Sequence, residues 1–188
     1  MISKPFFSIA IPFYYRDENS INQLYRCVNS IKNQTFKSYE IIISTQNIFE
    51  RLKDDPNLKK AMVNLQNAEH IEGFIQGNIN NAMQKCSGKW IKILFSDDFF
   101  FDKYSLHNIN SQLKLNDKTW AVINSLHFDQ ESKKIHKPII PYFQKNILEV
   151  NTIGSPSALV LKNSQKILFD KKSWIRLDVD YYFSLFKK

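Results

Sequence analysis

The stretch that decides the fold begins Phe7-Ser8-Ile9-Ala10-Ile11 and stops at Pro12. It is a short apolar run of the kind that forms a strand buried on both faces. After a polar turn, Arg16-Asp17-Glu18-Asn19-Ser20, the residues Ile21, Leu24, Val28 and Ile31 recur at helical spacing, with Ser20 or Asn19 as the expected N-cap. Glu40-Ile41-Ile42-Ile43-Ser44 then supplies a second β-branched run. Strand, helix and strand in this order make a βαβ unit, because only a long crossover can return the chain for parallel pairing.

Working outward, Asp54 or Asp55 is expected to cap a helix with Pro56 in its first turn and a stripe of Leu58, Ala61, Met62 and Leu65. A further helix is expected from Asn78 through Ile79, Ala82, Met83 and Cys86, ending near Gly88. Residues 90–95 read as another buried strand. The second half is less regular: a helix over 106–115, strands over 120–128 and around Ile135 joined by a polar turn at 129–134, a strand over 157–161 and an aromatic helix from Val179 onward. The expected fold class is α/β, a mostly parallel sheet flanked by helices with a small antiparallel extension. No repeat or composition shift marks a boundary, so residues 1–188 are read as one domain, its halves dividing near residue 100.

Composition excludes several classes. Apolar residues make up 43% and aromatics 14%, enough for a packed core rather than a disordered chain. No apolar run approaches the length of a membrane span, and residues 1–5 carry no leader-like apolar stretch, so a cytoplasmic location is expected. Cys27 and Cys86 have no partner at metal-ligand spacing and are expected to be buried, reduced thiols. The net charge is +8, but Lys outnumbers Arg 22 to 4 and is scattered, which argues against specific nucleic-acid readout. His70, His107, His127 and His136 show no paired spacing and are expected to pack or face solvent.

In open α/β sheets ligands bind beyond the carboxyl ends of the parallel strands. Three such ends carry polar residues here: Pro12-Phe13-Tyr14-Tyr15, Ser44-Thr45-Gln46-Asn47 and Ser96-Asp97-Asp98. Adjacent carboxylates repel unless a cation compensates, and hard oxygen ligands suit Mg²⁺ or Mn²⁺ completed by substrate phosphates. A second acidic pair, Asp178-Val179-Asp180, leads into the last helix; its spacing puts the two carboxylates on different sides, so one can serve as a base while the other caps or pairs.

These residues together resemble glycosyltransferase family 2 with the GT-A fold. The likeness is carried by the order of Ile11-Pro12-x-Tyr14, Ser30-Ile31-Lys32-Asn33-Gln34-Thr35-Phe36, Tyr39-Glu40-Ile41-Ile42-Ile43, Asn81, Cys86-Ser87-Gly88-Lys89-Trp90-Ile91, Ser96-Asp97-Asp98 and Asp178-x-Asp180, over about residues 6–186. The resemblance implies an inverting, metal-dependent transferase that moves a sugar from a nucleotide-diphosphate sugar, UDP-sugar favoured, to a hydroxyl of a glycan or glycolipid. It implies that Pro12, Phe13 and Tyr14 border the base, that Ser44 and Thr45 lie where the base is read, and that Asn80 and Asn81 lie near the nucleotide. It further implies that Ser96 and Asp98 flank the donor, that Asp97 binds Mn²⁺ or Mg²⁺, that Asp178 is the catalytic base, and that Gly154-Ser155-Pro156-Ser157 faces donor sugar and acceptor.

Three positions depart from the family pattern: Phe95 stands for the first Asp of the metal motif, Ser44 for the base-reading Asp, and Asn80 for an Arg. They motivate a second reading, a catalytically weak nucleotide-binding relative that acts as an assembly module. The aromatic end Tyr181-Tyr182-Phe183-Ser184-Leu185-Phe186-Lys187-Lys188 also raises a peripheral contact with the inner membrane face.

Overall fold

The computed structural model describes residues 4–115, 117–144, 146–147, 149–173 and 176–187. Residues 1–3, part of the segment inspected for a leader, the pair Trp174-Ile175 and the terminal Lys188 lie outside the described residues. Strand β1 (Phe7–Phe13) is buried along its whole length. Phe7, Ile9, Ile11 and Phe13 join one core layer while Ala10 joins the other, as strand alternation requires. Helix α1 (Glu18–Lys32) buries Ile21, Leu24, Val28 and Ile31. Its N-cap is Asp17 rather than Asn19 or Ser20. The Asp17 carboxylate accepts the Ser20 N–H at 2.8 Å, and the Ser20 hydroxyl oxygen accepts the Asp17 N–H at 3.3 Å, closing a reciprocal capping box. Strand β2 (Tyr39–Thr45) pairs parallel with β1, Ile41 opposite Ile9.

The next region differs from expectation. It holds two short helices, α2 (Phe49–Leu52) and α3 (Pro56–Lys60), the latter capped by Asp55. The predicted stripe breaks because Met62 adopts φ 53° and is exposed, while Leu65 lies in an unforeseen strand, β3 (Asn64–Asn67). Helix α4 (Phe74–Gln84) starts ahead of Asn78 and stops short of Gly88. Gly88 answers a different need: a Cβ there would lie 2.8 Å from the Ser8 nitrogen and 2.9 Å from the Phe7 carbonyl carbon. Only glycine lets this turn approach β1 so closely.

Strand β4 (Trp90–Ile93), helix α5 (Ser105–Lys114), strands β5 (Trp120–Val122) and β6 (Leu159–Lys162) and helix α6 (Leu177–Phe186) complete the set. The sheet order is β3-β2-β1-β4-β6-β5. The first four strands run parallel, and β6 runs antiparallel to both β4 and β5. The strand expected over 120–128 ends at Val122; beyond it the hairpin retains only bridges between Ser125 and Ile139 and between Phe128 and Ile135. Residues of α1, α2, α3 and α5 cover one face of the sheet, and residues of α4 and α6 cover the other. Cys27 and Cys86 are buried and free.

The aromatic C-terminal helix is a core element. Tyr181, Tyr182 and Leu185 are buried, while Phe186 stays partly exposed with its ring packed on Phe143 and Trp120. Because β2 and β4 flank β1 on opposite sides, the strand order reverses at β1. The crevice outside the carboxyl ends of β1 and β4 is the binding place such a reversal creates.

Candidate active site

Around this crevice the sequence-predicted residues separate into three groups. At the end of β1, Pro12 and Phe13 are buried and Tyr14 is exposed. Three hydrogen bonds fix this turn: Asn78 of α4 donates to the Phe13 carbonyl at 2.9 Å, and Asn47 accepts the Tyr15 N–H at 2.9 Å while donating to the Tyr15 carbonyl at 2.8 Å. Tyr14 is thus the side chain of the trio that the turn presents to solvent.

The second group faces inward. Ser44 and Thr45 are fully buried, and the Ser44 hydroxyl oxygen accepts a hydrogen bond from the Asn81 amide at 2.8 Å. Asn80 donates to the Phe169 carbonyl and accepts the Phe169 N–H, both at 2.8 Å. Both ends of its amide are therefore used to dock the segment before α6 onto α4. As folded, Ser44 and Asn80 offer no free polar atom to the crevice. The reason is that α4 carries Gln76, Asn78, Asn80 and Asn81 on buried positions, and each needs an internal partner.

The third group is the acidic corner. The turn after β4 is closed by the Asp98 N–H donating to the Phe95 carbonyl at 3.0 Å. It turns the two carboxylates apart: Asp97 is exposed and Asp98 half-buried. Burial pushes the Asp98 carboxyl up, against a hydrogen bond from Ser157 that draws it down; Asp97 raises it further, while Lys92 and Arg26 lower it. The Ser157 hydroxyl oxygen also accepts the Phe95 N–H at 2.8 Å. Arg26 donates to the Asp97 carbonyl at 2.8 Å and stacks over the Phe99 ring at 4.5 Å.

Lys92 was not singled out from sequence. It is fully buried in β4, and its ammonium donates to the carbonyls of Ile93, at 2.9 Å, and Ser157. Burial pushes it down to about 7, partly offset by the charge of Asp98. A lone cation inside the otherwise apolar run Trp90-Ile91-Lys92-Ile93-Leu94 is the signal that could have found it. The acidic corner is therefore balanced from beneath by the chain's own cation, and only Asp97 points its carboxylate outward.

Ser157 also leads to the second acidic pair. Upstream of it, Gly154 adopts φ +98°, and its carbonyl accepts from the Tyr182 hydroxyl at 2.7 Å and the Asn151 amide at 3.0 Å. The same Asn151 amide donates to the Asp178 carboxylate. Its oxygen accepts the N–H groups of Ile153 and Gly154 at 3.0 and 2.9 Å. Asp180 instead accepts from the Ser173 hydroxyl, so the two carboxylates do have separate surroundings. One loop, residues 151–157, thus touches Asp98 at one end and Asp178 at the other.

Among the described residues no three His, Cys, Asp or Glu side chains converge into a metal cage. The donor set at the β4 tip still fits a hard ion, since Mg²⁺ and Mn²⁺ bind through one or two carboxylates and take the rest of their shell from water and phosphate.

With this geometry in hand, comparison with known proteins is decisive for the family. The model of glycosyl transferase family 2 matches residues 8–172, and the chain belongs to that family. The match takes in the strand tips and the 151–157 loop and stops before Asp178. A GalNAc(5)-diNAcBac-PP-undecaprenol beta-1,3-glucosyltransferase of Campylobacter jejuni is 31% identical over 101 residues, covering 50% of this chain and 30% of that protein. An uncharacterized glycosyltransferase of Rickettsia bellii is 29% identical over 148 residues, covering 74% of this chain and 20% of its own length. Among solved structures, the 1–349 fragment of S. aureus TarS in complex with UDP superposes with TM-score 0.71 at 15% identity, covering 95% of this chain and 54% of that one. The likeness establishes the GT-A fold. The chain spans less than a third of the length of these sequence relatives and about half of the TarS fragment.

Proposed function

We propose that this chain transfers a sugar from a nucleotide-diphosphate sugar, UDP-sugar favoured, to a hydroxyl of a glycan or glycolipid, with inversion at the anomeric carbon. The observation that carries the reading is the 151–157 loop, which links Asp98 at the donor corner to Asp178 on the acceptor side. Tyr14 borders the base, and Asp97, the outward carboxylate, would hold Mn²⁺ or Mg²⁺ with Ser96 and Asp98 beside it. Such an ion, when bound, supplies positive charge to the departing diphosphate. Asp178, oriented by Asn151, accepts the proton of the acceptor hydroxyl as its oxygen attacks the anomeric carbon. The bond to the diphosphate breaks with its electron pair on the leaving oxygen, and attack from the opposite face inverts the centre. No covalent sugar–enzyme intermediate is required.

Support for the donor class comes from TarS, solved with UDP and with UDP-GlcNAc. Support for a lipid-linked acceptor comes from the C. jejuni relative, a glucosyltransferase named for a PP-undecaprenol-linked substrate. Among the described residues no helix is long and apolar enough to cross a membrane. Work on such an acceptor at the cytoplasmic face is part of this reading. In this reading residues 1–188 act as one unit, donor-binding up to about residue 100 and acceptor-facing beyond it.

A thermal-shift panel of UDP, GDP, CDP and TDP sugars, with and without Mn²⁺, tests the proposal together with release of free sugar from the donor. Stabilisation by one nucleotide class and slow donor hydrolysis are expected. Stabilisation without any hydrolysis would favour the assembly-module reading, which Phe95 and the inward Ser44 motivate. No response to any nucleotide sugar would overturn both.

A further inference from the structure

His127 and His136 are nine positions apart along the chain, yet the hairpin beyond β5 sets them face to face. Phe128 and Ile135 form an antiparallel bridge, and the His136 N–H donates to the His127 carbonyl at 2.9 Å. This register puts the two histidines directly opposite each other, and directly opposed residues project from the same face of an antiparallel pair. Both are exposed. Their ring centroids lie 5.2 Å apart with the planes inclined at 51°.

That separation matches a chelate. A first-row ion binds an imidazole nitrogen at about 2.0–2.1 Å, which puts it about 3.2 Å from the ring centre; at a tetrahedral angle two such rings have centres about 5.2 Å apart. Asp129 lies on the same strand face as His127, its carboxylate fixed by the N–H groups of Glu131 and Ser132 and by the Ser132 hydroxyl. Lys134 opposes Asp129, but it is exposed and its ammonium rides on a flexible stem.

We propose that His127 and His136 chelate a nitrogen-preferring transition ion of the Zn²⁺, Ni²⁺ or Cu²⁺ class, with solvent filling the remaining positions. The site is independent of the transferase reading and differs from the Asp97 corner in chemistry, since imidazole pairs select borderline ions whereas carboxylates suit Mg²⁺ and Mn²⁺. No thiol competes, because Cys27 and Cys86 are buried. The other face of the hairpin carries Phe128, whose ring meets Phe99 edge-on at 6.2 Å, and Phe99 follows Asp98 in the chain. An ion across the strands closes residues 128–135 into a ring and pins Phe128 against the wall of the acidic corner.

The test is a titration of the untagged chain with ZnCl₂ in the absence of nucleotide, followed by histidine side-chain NMR. The His127 and His136 resonances should move together and saturate at one ion per chain, while His70 and His107 stay in place. His127→Gln and His136→Gln should each weaken Zn²⁺ binding by about tenfold or more, with the double variant weaker by less than the product of the two single losses, as loss of a chelate requires. Asp97→Ala should bind Zn²⁺ like the wild type. Because both histidines are exposed, far-UV circular dichroism should confirm that the variants fold. Zn²⁺ shifts at His70 or His107 alone, wild-type affinity in His127→Gln, or displacement of Zn²⁺ by equimolar Mn²⁺ would each overturn the proposal.

Discussion

The two acidic corners of the crevice are built on opposite principles. At the tip of β4, Asp98 is half-buried, pushed up by burial, and answered by a fully buried ammonium and a serine hydroxyl. At the start of α6, Asp178 accepts from a neutral amide, that of Asn151, and Asp180 pairs separately with Ser173. The first corner is charge-balanced and rooted in the sheet; the second is oriented by hydrogen bonds from neutral groups, the Asn151 amide and the Ser173 hydroxyl. A carboxylate that must hold charge in a dry setting needs a counter-charge, whereas one that must accept a proton needs only to be aimed. Under the proposed function, the first arrangement suits anchoring at the β4 tip and the second suits proton transfer at the α6 start.

The largest expected effect breaks the comparison at its second term. Asp178→Asn keeps the shape and the Asn151 contact but removes the base, so transfer should fall by about 100-fold or more with nucleotide binding unchanged. Steady-state kinetics beside calorimetry check it; equal transfer in the variant would move the base elsewhere. A smaller effect is expected at the first term. Asp97→Ala should lower nucleotide affinity in Mn²⁺ by about tenfold, to the level seen without metal, by removing one carboxylate ligand. Equal affinity with and without Mn²⁺ in the native chain would sink that assignment.

A test of stability and not of activity sharpens the account of Lys92. Its folded value, about 7, lies below its value in the unfolded chain, so between those two the unfolded state binds more protons. Stability should therefore rise with pH from about 7 toward 10, by at most about 1.4 kcal/mol per pH unit, and the penalty should be fully present below 7. Lys92→Met should flatten this slope in urea melts recorded across the range. A slope unchanged in the variant would mean that the ammonium is not the titrating group.

The legible parts of the fold were those with local causes. The βαβ start could be read because the apolar runs of β1 and β2 and the stripe of α1 are each contained in one segment. Strand β3 stayed hidden because Asn64-Leu65-Gln66-Asn67 is an edge strand, paired only with β2 and too polar to signal burial. Helix α4 was begun too late because its first residues, Phe74 and Ile75, are exposed and its buried face carries amides. Of the site, the acidic tips could be picked out by their place at strand ends. Their orientation could not, since Asp97 and Asp98 are neighbours in sequence yet one faces solvent and the other a serine from β6's leading turn. Ser44 and Asn80 show the same limit: polarity in sequence does not tell whether water or the Asn81 amide and the Phe169 backbone will satisfy it.

The sequence by itself determined the strand–helix alternation, the sidedness of the core and the residues able to carry charge at the strand ends, because periodicity and capping act over a few residues. Only the tertiary structure decided which of those groups meet: Lys92 beneath Asp98, Asn151 against Asp178, His127 opposite His136. The last two join segments that lie far apart or on opposed strands, the first turns on how deeply Lys92 is buried, and the energy of each depends on distance and burial, which no linear spacing contains.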